Sequence, residues 1–472
     1  MSQYDFLILG GGAAAFAVAT VASELGAKTA MINDGLPLGG TCVNVGCVPS
    51  KHLLELGFDH YYAGRSRFAA LTPAQGTVDF RQAIQGKDEL VAGLRQQNYQ
   101  NVLQALGNVE LIEGQGRFLS PTEVSVAVGA HGDTLLQAKK ILIATGSSTY
   151  IPPIEGLEGV DYLTNREALS LEKLPERLLI IGGGPLGLEF AQMFAHFGSQ
   201  VTLLANHERV LPHYEPEIGE ALGYYLQREG IEIVTKVKTE RVSQSGDEKT
   251  VTGLVNGEER TWQADQLLIA TGIKPNTDAL DLERAGVRTA ARGFVETDDT
   301  LHTSVQNIWA AGDVVGKMAL ETVAAKEGHA AARNALAGEA RTINYEQIPH
   351  AVFTSPSVAS VGITEEESSE RYHACSCRTV PLESVPKALA VNDTRGLIKM
   401  VVHPQTGVIM GVHIVAPVAH EMIHEATLAI RAQMTIDDLI DTVHVFPTYS
   451  EGIKLAAQAF RRDLSKMSCC VE

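Results

Sequence analysis

The 472-residue chain is predicted to be an α/β protein with two glycine-turn βαβ units and a smaller α+β domain after them. Three observations predict this. The first is a repeated layout of apolar run, glycine turn, small-residue helix and second apolar run. It occurs in DFLILGGGAAAFAVATVASELGAKTAMIND (5–34) and in RLLIIGGGPLGLEFAQMFAHFGSQVTLLAN (177–206). The second is a pair of apolar strands that end alike, ILIATGS (141–147) and LLIATGI (267–273), joined by NIWAAGDVVG (307–316), which puts Asp313 just after a strand. The third is a change of character after residue 345, where mixed strands (PHAVFTSPSVASVGIT, LIKMVVHPQTGVIMGVHIV) give way to amphipathic helices. That pattern is not another βαβ unit.

Each glycine of the repeat has a physical task in a Rossmann-like, dinucleotide-binding unit. Gly10 and Gly182 permit the tight turn after the strand. Gly12 and Gly184 let the backbone approach a pyrophosphate, and Ala15 and Gly187 let the helix pack closely on the strand. The pyrophosphate then meets a helix N-terminus, where free N–H groups and the dipole favour anions. A ribose-binding acid is expected about twenty residues past the first glycine. In the first unit that position falls on Asn33 or Asp34, with Asp34 preferred for its charge. In the second it falls on Asn206, followed by His207, Glu208 and Arg209, which leaves NAD against NADP open.

The motif that carries chemistry is GGTCVNVGCVPSK, residues 39–51. On a helix, the spacing of Cys42 and Cys47 brings the two sulfurs within disulfide range. Lys51, four residues past Cys47, shares its helical face and can stabilise a thiolate or a reduced flavin.

Composition narrows the alternatives. Hydrophobic residues make up 45% and charged residues 20%, and the net charge is −18; an acidic surface argues against nucleic acid or anionic membrane as the main partner. Six cysteines are too few for a disulfide scaffold in so long a chain. The apolar stretch 6–25 is interrupted by Gly10-Gly11-Gly12, and MSQYDFLILGGG lacks the basic region of a signal peptide. The expectation is a soluble, cytoplasmic protein.

With GGTCVNVGCVPSK, the two glycine fingerprints, both ATG strands and AAGD, the sequence resembles the pyridine nucleotide–disulfide oxidoreductases over essentially its whole length. The resemblance implies FAD on the first unit, NAD(P)H on the second and a homodimer. The implied domains are FAD-binding at 1–148 and 277–345, NAD(P)-binding at 149–276, and a dimerisation domain at 346–472. By the same resemblance Cys47 is the thiol beside the flavin and Cys42 the interchange thiol. Lys51 pairs with Glu189 near flavin and nicotinamide, and Asp313 holds the ribityl chain. Gly40, Thr41, Thr145, Gly146 and Gly272 line the cofactor sites.

The chain ends LSKMSCCVE. Vicinal Cys469 and Cys470 make a poor structural disulfide but a good soft-metal ligand or redox shuttle. This ending resembles the mercury(II)-reducing branch of the family, where the tail of one subunit reaches the active site of its partner. Some thioredoxin-reducing members also end in paired cysteines. A substitution separates the two. Disulfide-reducing members carry His-Pro-Thr near the C-terminus, and that His protonates the leaving thiol. Here Phe446 holds the position, in His444-Val445-Phe446-Pro447-Thr448-Tyr449-Ser450-Glu451, and phenylalanine transfers no proton. The resemblance therefore implies Hg(II) and its thiol complexes as substrate, with Cys42, Cys47, Cys469 and Cys470 as metal ligands. It implies NADPH as donor, with NADH as the alternative. Two other readings are a disulfide reductase of thioredoxin or a small disulfide, and a non-catalytic flavoprotein that sequesters metal on thiols.

Tyr99 sits where the family places an active-site tyrosine. Tyr449 comes one residue later than the tyrosine that often follows Phe-Pro. Either also reads as a packing residue. Two further patterns are discounted. His420-Glu421-Met422-Ile423-His424 matches the HExxH zinc-protease pattern but falls in the dimerisation segment. Cys375-Ser-Cys377 places two thiols on one strand face, but no third ligand is near in sequence, so the pair reads as incidental.

Overall fold

The computed structural model describes residues 2–74, 76–129 and 132–467; Cys469 and Cys470 lie outside the described residues. The chain divides into two compact units. The first comprises 1–52, 84–150 and 272–345, and the second 53–83, 151–271 and 346–472.

The first unit is built on one sheet in the order Val109–Glu113, Thr29–Asn33, Ser2–Leu9, Asp133–Ile143, Glu123–Ala127, Gln115–Ser120, with Ile308–Ala310 also pairing Asp133–Ile143. The strands around Ser2–Leu9 are parallel, and Leu7 lies opposite both Ala30 and Ile141. A parallel strand is buried on both faces, which is why FLIL is continuously apolar rather than alternating. Phe6 and Ile8 join one core layer, and Leu7 and Leu9 the other. Helix Ala13–Glu24 packs against helix Glu321–Ala337. The approach is so close that a Cβ on Gly328 would fall 2.4 Å from the Ala14 carbonyl oxygen. The alanine-rich first helix is the counterpart of that contact.

In the second unit, strands Glu232–Val234, Gln200–Leu204, Arg177–Ile181 and Gln266–Ile269 form a parallel sheet. Val237–Ser245, Glu248–Val255 and Glu258–Ala264 form an antiparallel one. The C-terminal segment contributes a five-stranded sheet in the order His350–Val352, Ser357–Gly362, Ile409–Ala416, Leu397–Val402, Ser376–Pro381. Helices Ala419–Arg431 and Glu451–Gln458 cover it around an aliphatic core. Residues 53–83 group with this unit because Phe58 and Tyr61 pack on the His196 ring, and Phe80 on Phe194 and Phe197. Among the described residues, no helix is long and apolar enough to cross a membrane.

One charge in the five-stranded sheet is buried and fully paired. Lys399, fully buried, bonds Glu215 at 2.9 Å, Glu217 at 2.9 Å and Glu365 at 2.6 Å. Burial works to pull its pKa down, but the hydrogen bonds to Glu365, Glu217 and Glu215 hold it above the ordinary lysine value. Glu215 is equally buried. Lys399→Met would leave that carboxylate without its cation, a loss of about 3 kcal/mol for a broken buried pair. Thermal unfolding of the holoprotein should show a clear fall in Tm.

Candidate redox site

Both repeats turn on a glycine of left-handed backbone. Gly10 has φ +130°, and a Cβ there would lie 2.2 Å from the Ala144 carbonyl oxygen. Gly182 has φ +131° and meets Ala270 in the same way. A Cβ on Gly187 would fall 2.0 Å from the Gly182 oxygen, while Ala15 fits its Cβ fully buried. The helices that follow begin at Gly12 and Gly184. Neither has a side-chain cap nor an acidic residue in its first turn. Two helix N-termini with unclaimed N–H groups and no opposing charge suit two pyrophosphates.

Around the first turn, Asn33 folds its amide back toward Gly11 and donates to the Leu36 carbonyl at 3.0 Å. Asp34 stays near the surface, accepting from Gln115 at 3.5 Å. Gly146 and Gly272, at φ +67° and +106°, end the two ATG segments. Strands Ser147–Thr149 and Ile273–Pro275 then pair as an antiparallel ribbon. Thr145 donates to the Asn276 carbonyl at 2.8 Å. Asp313 accepts from the Ser147 hydroxyl at 2.6 Å, and burial raises its pKa. Behind it, Gly312 N–H and the Tyr345 hydroxyl both donate to buried Glu327 at 2.6 Å.

The cysteine motif differs from the single helix expected. Helix Gly40–Val45 carries Cys42 and Thr41, and helix Cys47–Ala63 opens on the second thiol. Gly46 breaks between them, where a Cβ would meet the Thr41 oxygen at 2.9 Å and the Cys42 Cα at 3.3 Å. The thiols thus meet across a glycine corner. Gly39 N–H donates to the Gly11 carbonyl at 2.8 Å, and a Cβ on Gly40 would sit 2.8 Å from the Gly12 Cα. This seats the thiol pair against the first glycine turn. Asn44 secures the loop by donating to Gly40, Pro37 and Leu38 carbonyls, and accepts from Arg95 at 3.1 Å.

Both thiols are free. Cys42 and Cys47 share a hydrogen bond that divides their roles. It pushes the Cys42 thiol far above the ordinary range, with burial and nearby Glu321 acting the same way. The same bond lowers Cys47, helped by the charge of Lys51 and opposed by burial. In the reduced pair Cys47 is therefore the thiol that ionises first and Cys42 the one that holds its proton longer. Cys42 also lies within hydrogen-bond reach of Glu321, whose pKa burial raises. Tyr99 donates to Glu321 at 3.5 Å, and its ring meets Phe16 edge-on at 4.9 Å. Glu321, Asn44 and Arg95 escaped the sequence reading. Glu321 is the first residue of a distant helix with no motif around it, and no spacing rule links it to Cys42.

In the second unit, buried Glu189 accepts from the Phe353 N–H at 2.9 Å. Asn206 is exposed, Arg209 donates to the Pro212 carbonyl at 3.4 Å, and Glu208 pairs with Lys236 at 2.8 Å. Lys236, missed in the sequence, also donates its N–H to the His207 carbonyl. Tyr449 turns its hydroxyl to the Asp393 carbonyl at 3.3 Å and packs on the C-terminal core. Phe446, whose side chain carries no titratable proton, is 48% exposed. His444 has both ring nitrogens engaged, by the Thr442 carbonyl at 3.0 Å and Glu425 at 2.6 Å. His420 bonds Ser357 at 2.9 Å and His424 is exposed; the HExxH residues form no metal cluster among the described residues.

Residues 4–328 match the pyridine nucleotide-disulphide oxidoreductase family, and residues 348–457 match its dimerisation domain. The chain belongs to that family of pyridine nucleotide-dependent flavoprotein oxidoreductases, and the dimerisation domain supports a homodimer. It is 43% identical over 468 residues to a mercuric reductase of Bacillus cereus, covering 99% of this chain and 73% of that one. It is likewise 43% identical over 470 residues to a mercuric reductase of Streptomyces lividans, covering 99% and 98%. Among solved structures, the Cu(II) complex of the HOCl-induced flavoprotein disulfide reductase RclA from Escherichia coli superposes with a TM-score of 0.87. That pair is 32% identical, over 97% of this chain and 100% of the other.

Proposed function

We propose that the protein is a cytoplasmic enzyme that reduces Hg(II) to Hg(0) with NADPH, through FAD and the Cys42–Cys47 pair. The reaction is Hg(II) + NADPH → Hg(0) + NADP+ + H+. One observation carries the reading: a poised thiol pair is combined with a chain in which Phe446 replaces the acid a disulfide reductase needs. Cleaving a disulfide substrate requires a proton for the leaving thiolate, whereas delivering two electrons to a bound metal does not. The mercuric reductase relatives point to the same substrate.

FAD, when bound, carries the electron pair from the nicotinamide to the thiol site. Gly10, Gly12 and Ala15 hold its pyrophosphate against the helix N-terminus, Asp34 or Asn33 its adenosine ribose, and Asp313 its ribityl chain. Gly40, Thr41, Thr145 and Gly146 complete the lining. Gly182, Gly184, Gly187 and Gly272 serve the nicotinamide nucleotide. Cys47, the thiol of lower pKa, and Cys42, which gives up its proton with Glu321 as the carboxylate within reach, are the two ligands to Hg(II). Each sulfur that joins the metal releases one external thiolate, so Hg(II) is never free. Lys51 adds its charge to the influence of Cys42 in favouring the anionic form of Cys47. Cys469 and Cys470 of the partner subunit capture Hg(II) and hand it on.

The test is NADPH oxidation that depends on Hg(II), with release of Hg(0), measured beside lipoamide, glutathione disulfide and thioredoxin. Turnover on a disulfide alone would make the protein a disulfide reductase. Stoichiometric Hg(II) binding without turnover would make it a sequestering flavoprotein.

For the nucleotide, NADPH is favoured. Asn206 offers no carboxylate to repel a 2′-phosphate, Arg209 is near in sequence, and Lys236 neutralises Glu208. Lys236→Glu should lower the NADPH-to-NADH ratio of kcat/KM by about tenfold, the size of one lost charged contact. A wild-type ratio that favours NADH would overturn the assignment.

A further inference from the structure

We propose that Cys375, Cys377 and Glu365 form a second soft-metal site, separate from the redox pair and the tail, that binds one thiophilic cation as a dithiolate. The proposal does not rest on mercury reduction. In sequence the two cysteines lack a third ligand, but the fold supplies one. Glu365, at the start of helix Glu365–Tyr372, is brought beside them, and the two sulfurs and a carboxylate oxygen all lie within 4.8 Å of one another. Two thiolates on one ion at a metal–sulfur length of about 2.3 Å can stand at most about 4.6 Å apart, so the spacing is close to what one bridging ion needs.

The ligands are held in place by the fold. Cys377 is in edge strand Ser376–Pro381, paired opposite Val401, and Cys375 immediately precedes it. Next to Cys377, Arg378 donates to the Ala459 carbonyl at 3.2 Å and lies over the Phe460 ring, fixing this end of the strand. Glu365 is fixed twice. Its N–H donates to Glu215 at 2.6 Å, and its carboxylate bonds Lys399 at 2.6 Å. The preceding Thr364 caps the helix in a reciprocal bond with Glu367.

Charge favours a cation here. Lys399 faces three carboxylates, Glu215, Glu217 and Glu365, and with Arg378 beside Cys377 the two cations still leave one negative charge over among these side chains. Both thiols lie beside Glu365 and, after Lys399, help hold its carboxyl below the ordinary value. Neither cysteine is in a disulfide, so both are present as free thiols. A metal must therefore displace two thiol protons, which selects ions with a strong preference for sulfur: Hg(II), Cd(II) or Cu(I) rather than Mg(II) or Ca(II). Cys375 is exposed and Cys377 partly so, which leaves the ion a path.

Cd(II) is a suitable probe because it takes no part in redox chemistry. The holoprotein carrying Cys42→Ser, Cys47→Ser, Cys469→Ser and Cys470→Ser keeps only Cys375 and Cys377 of its six cysteines. It should bind one Cd(II) per chain with an ultraviolet thiolate-to-metal absorption. Adding Cys375→Ser or Cys377→Ser should remove both, and Glu365→Gln should weaken binding by about tenfold. No such absorption, or Cd(II) binding unchanged by Cys375→Ser/Cys377→Ser, would overturn the site. Iodoacetamide labelling of the wild-type holoprotein, read by peptide mapping, is independent of that background. Saturating Cd(II) should slow labelling of Cys375 and Cys377 together, and labelling of either at its metal-free rate would overturn the proposal.

Discussion

Replacing Cys42 or Cys47 with serine is expected to reduce Hg(II)-dependent NADPH oxidation by about a thousandfold or more, as loss of a reacting nucleophile does. FAD should remain bound, because the glycine turn, the helix N-terminus and Asp313 do not involve the sulfurs. The two variants should differ in spectrum. Cys47 carries the thiolate, so Cys47→Ser should lose the long-wavelength absorption that a thiolate beside an oxidised flavin gives, whereas Cys42→Ser should keep it. The wild-type band should persist as pH falls through the ordinary thiol pKa of about 8.5, because the folded pKa of Cys47 is depressed and the thiolate survives until pH drops below that lower value. Cys42 titrates in the opposite direction. Glu321→Gln removes one of the charges that raise its pKa, and alkylation of Cys42 should then begin at lower pH. Wild-type turnover in either serine variant would remove the pair from the reaction.

Much of this site was legible in the sequence because its chemistry is local. Gly10 and Gly182 sit in turns whose backbone permits little but glycine, and a turn between an apolar strand and a helix announces itself in a dozen residues. Asp313 follows its strand in the same way. The thiol pair was legible in identity but not in geometry. The five-residue spacing suggested one helix, and the corner at Gly46 is visible only when the Thr41 carbonyl and Cys42 backbone are seen crowding it. What escaped was contributed from far along the chain. Glu321 reaches Cys42 because the helix it begins packs on Ala13–Glu24, and Lys236 meets the Asn206 loop because two parallel strands end together. The Cys375–Cys377 pair shows the same limit from the other side. Without Glu365, brought in by a sheet-and-helix contact, two cysteines on one strand have no reason to be a site.

The tail should matter in proportion to how tightly Hg(II) is already held. Cys469→Ser/Cys470→Ser should leave reduction of small, weakly liganded Hg(II) species partly intact, since these reach Cys42 and Cys47 directly. With Hg(II) chelated by a bulky dithiol, turnover should fall by about tenfold or more, because a tethered thiol pair competes at a high effective concentration that free diffusion does not supply. The proposed relay assigns each tail to the opposite subunit, and mixed dimers test this directly. One subunit would lack both tail cysteines and the other would lack Cys42 and Cys47. Under the proposed relay such a dimer keeps one complete site, made of the tail of the second chain and the redox pair of the first. Its activity on dithiol-bound Hg(II) should exceed that of both parent homodimers and approach half the wild-type value, as expected when one of two equivalent sites survives. Activity no higher than the parents would mean that each tail serves its own subunit or takes no part in transfer. The two sulfurs at the chain end would then have to be explained without the exchange relay.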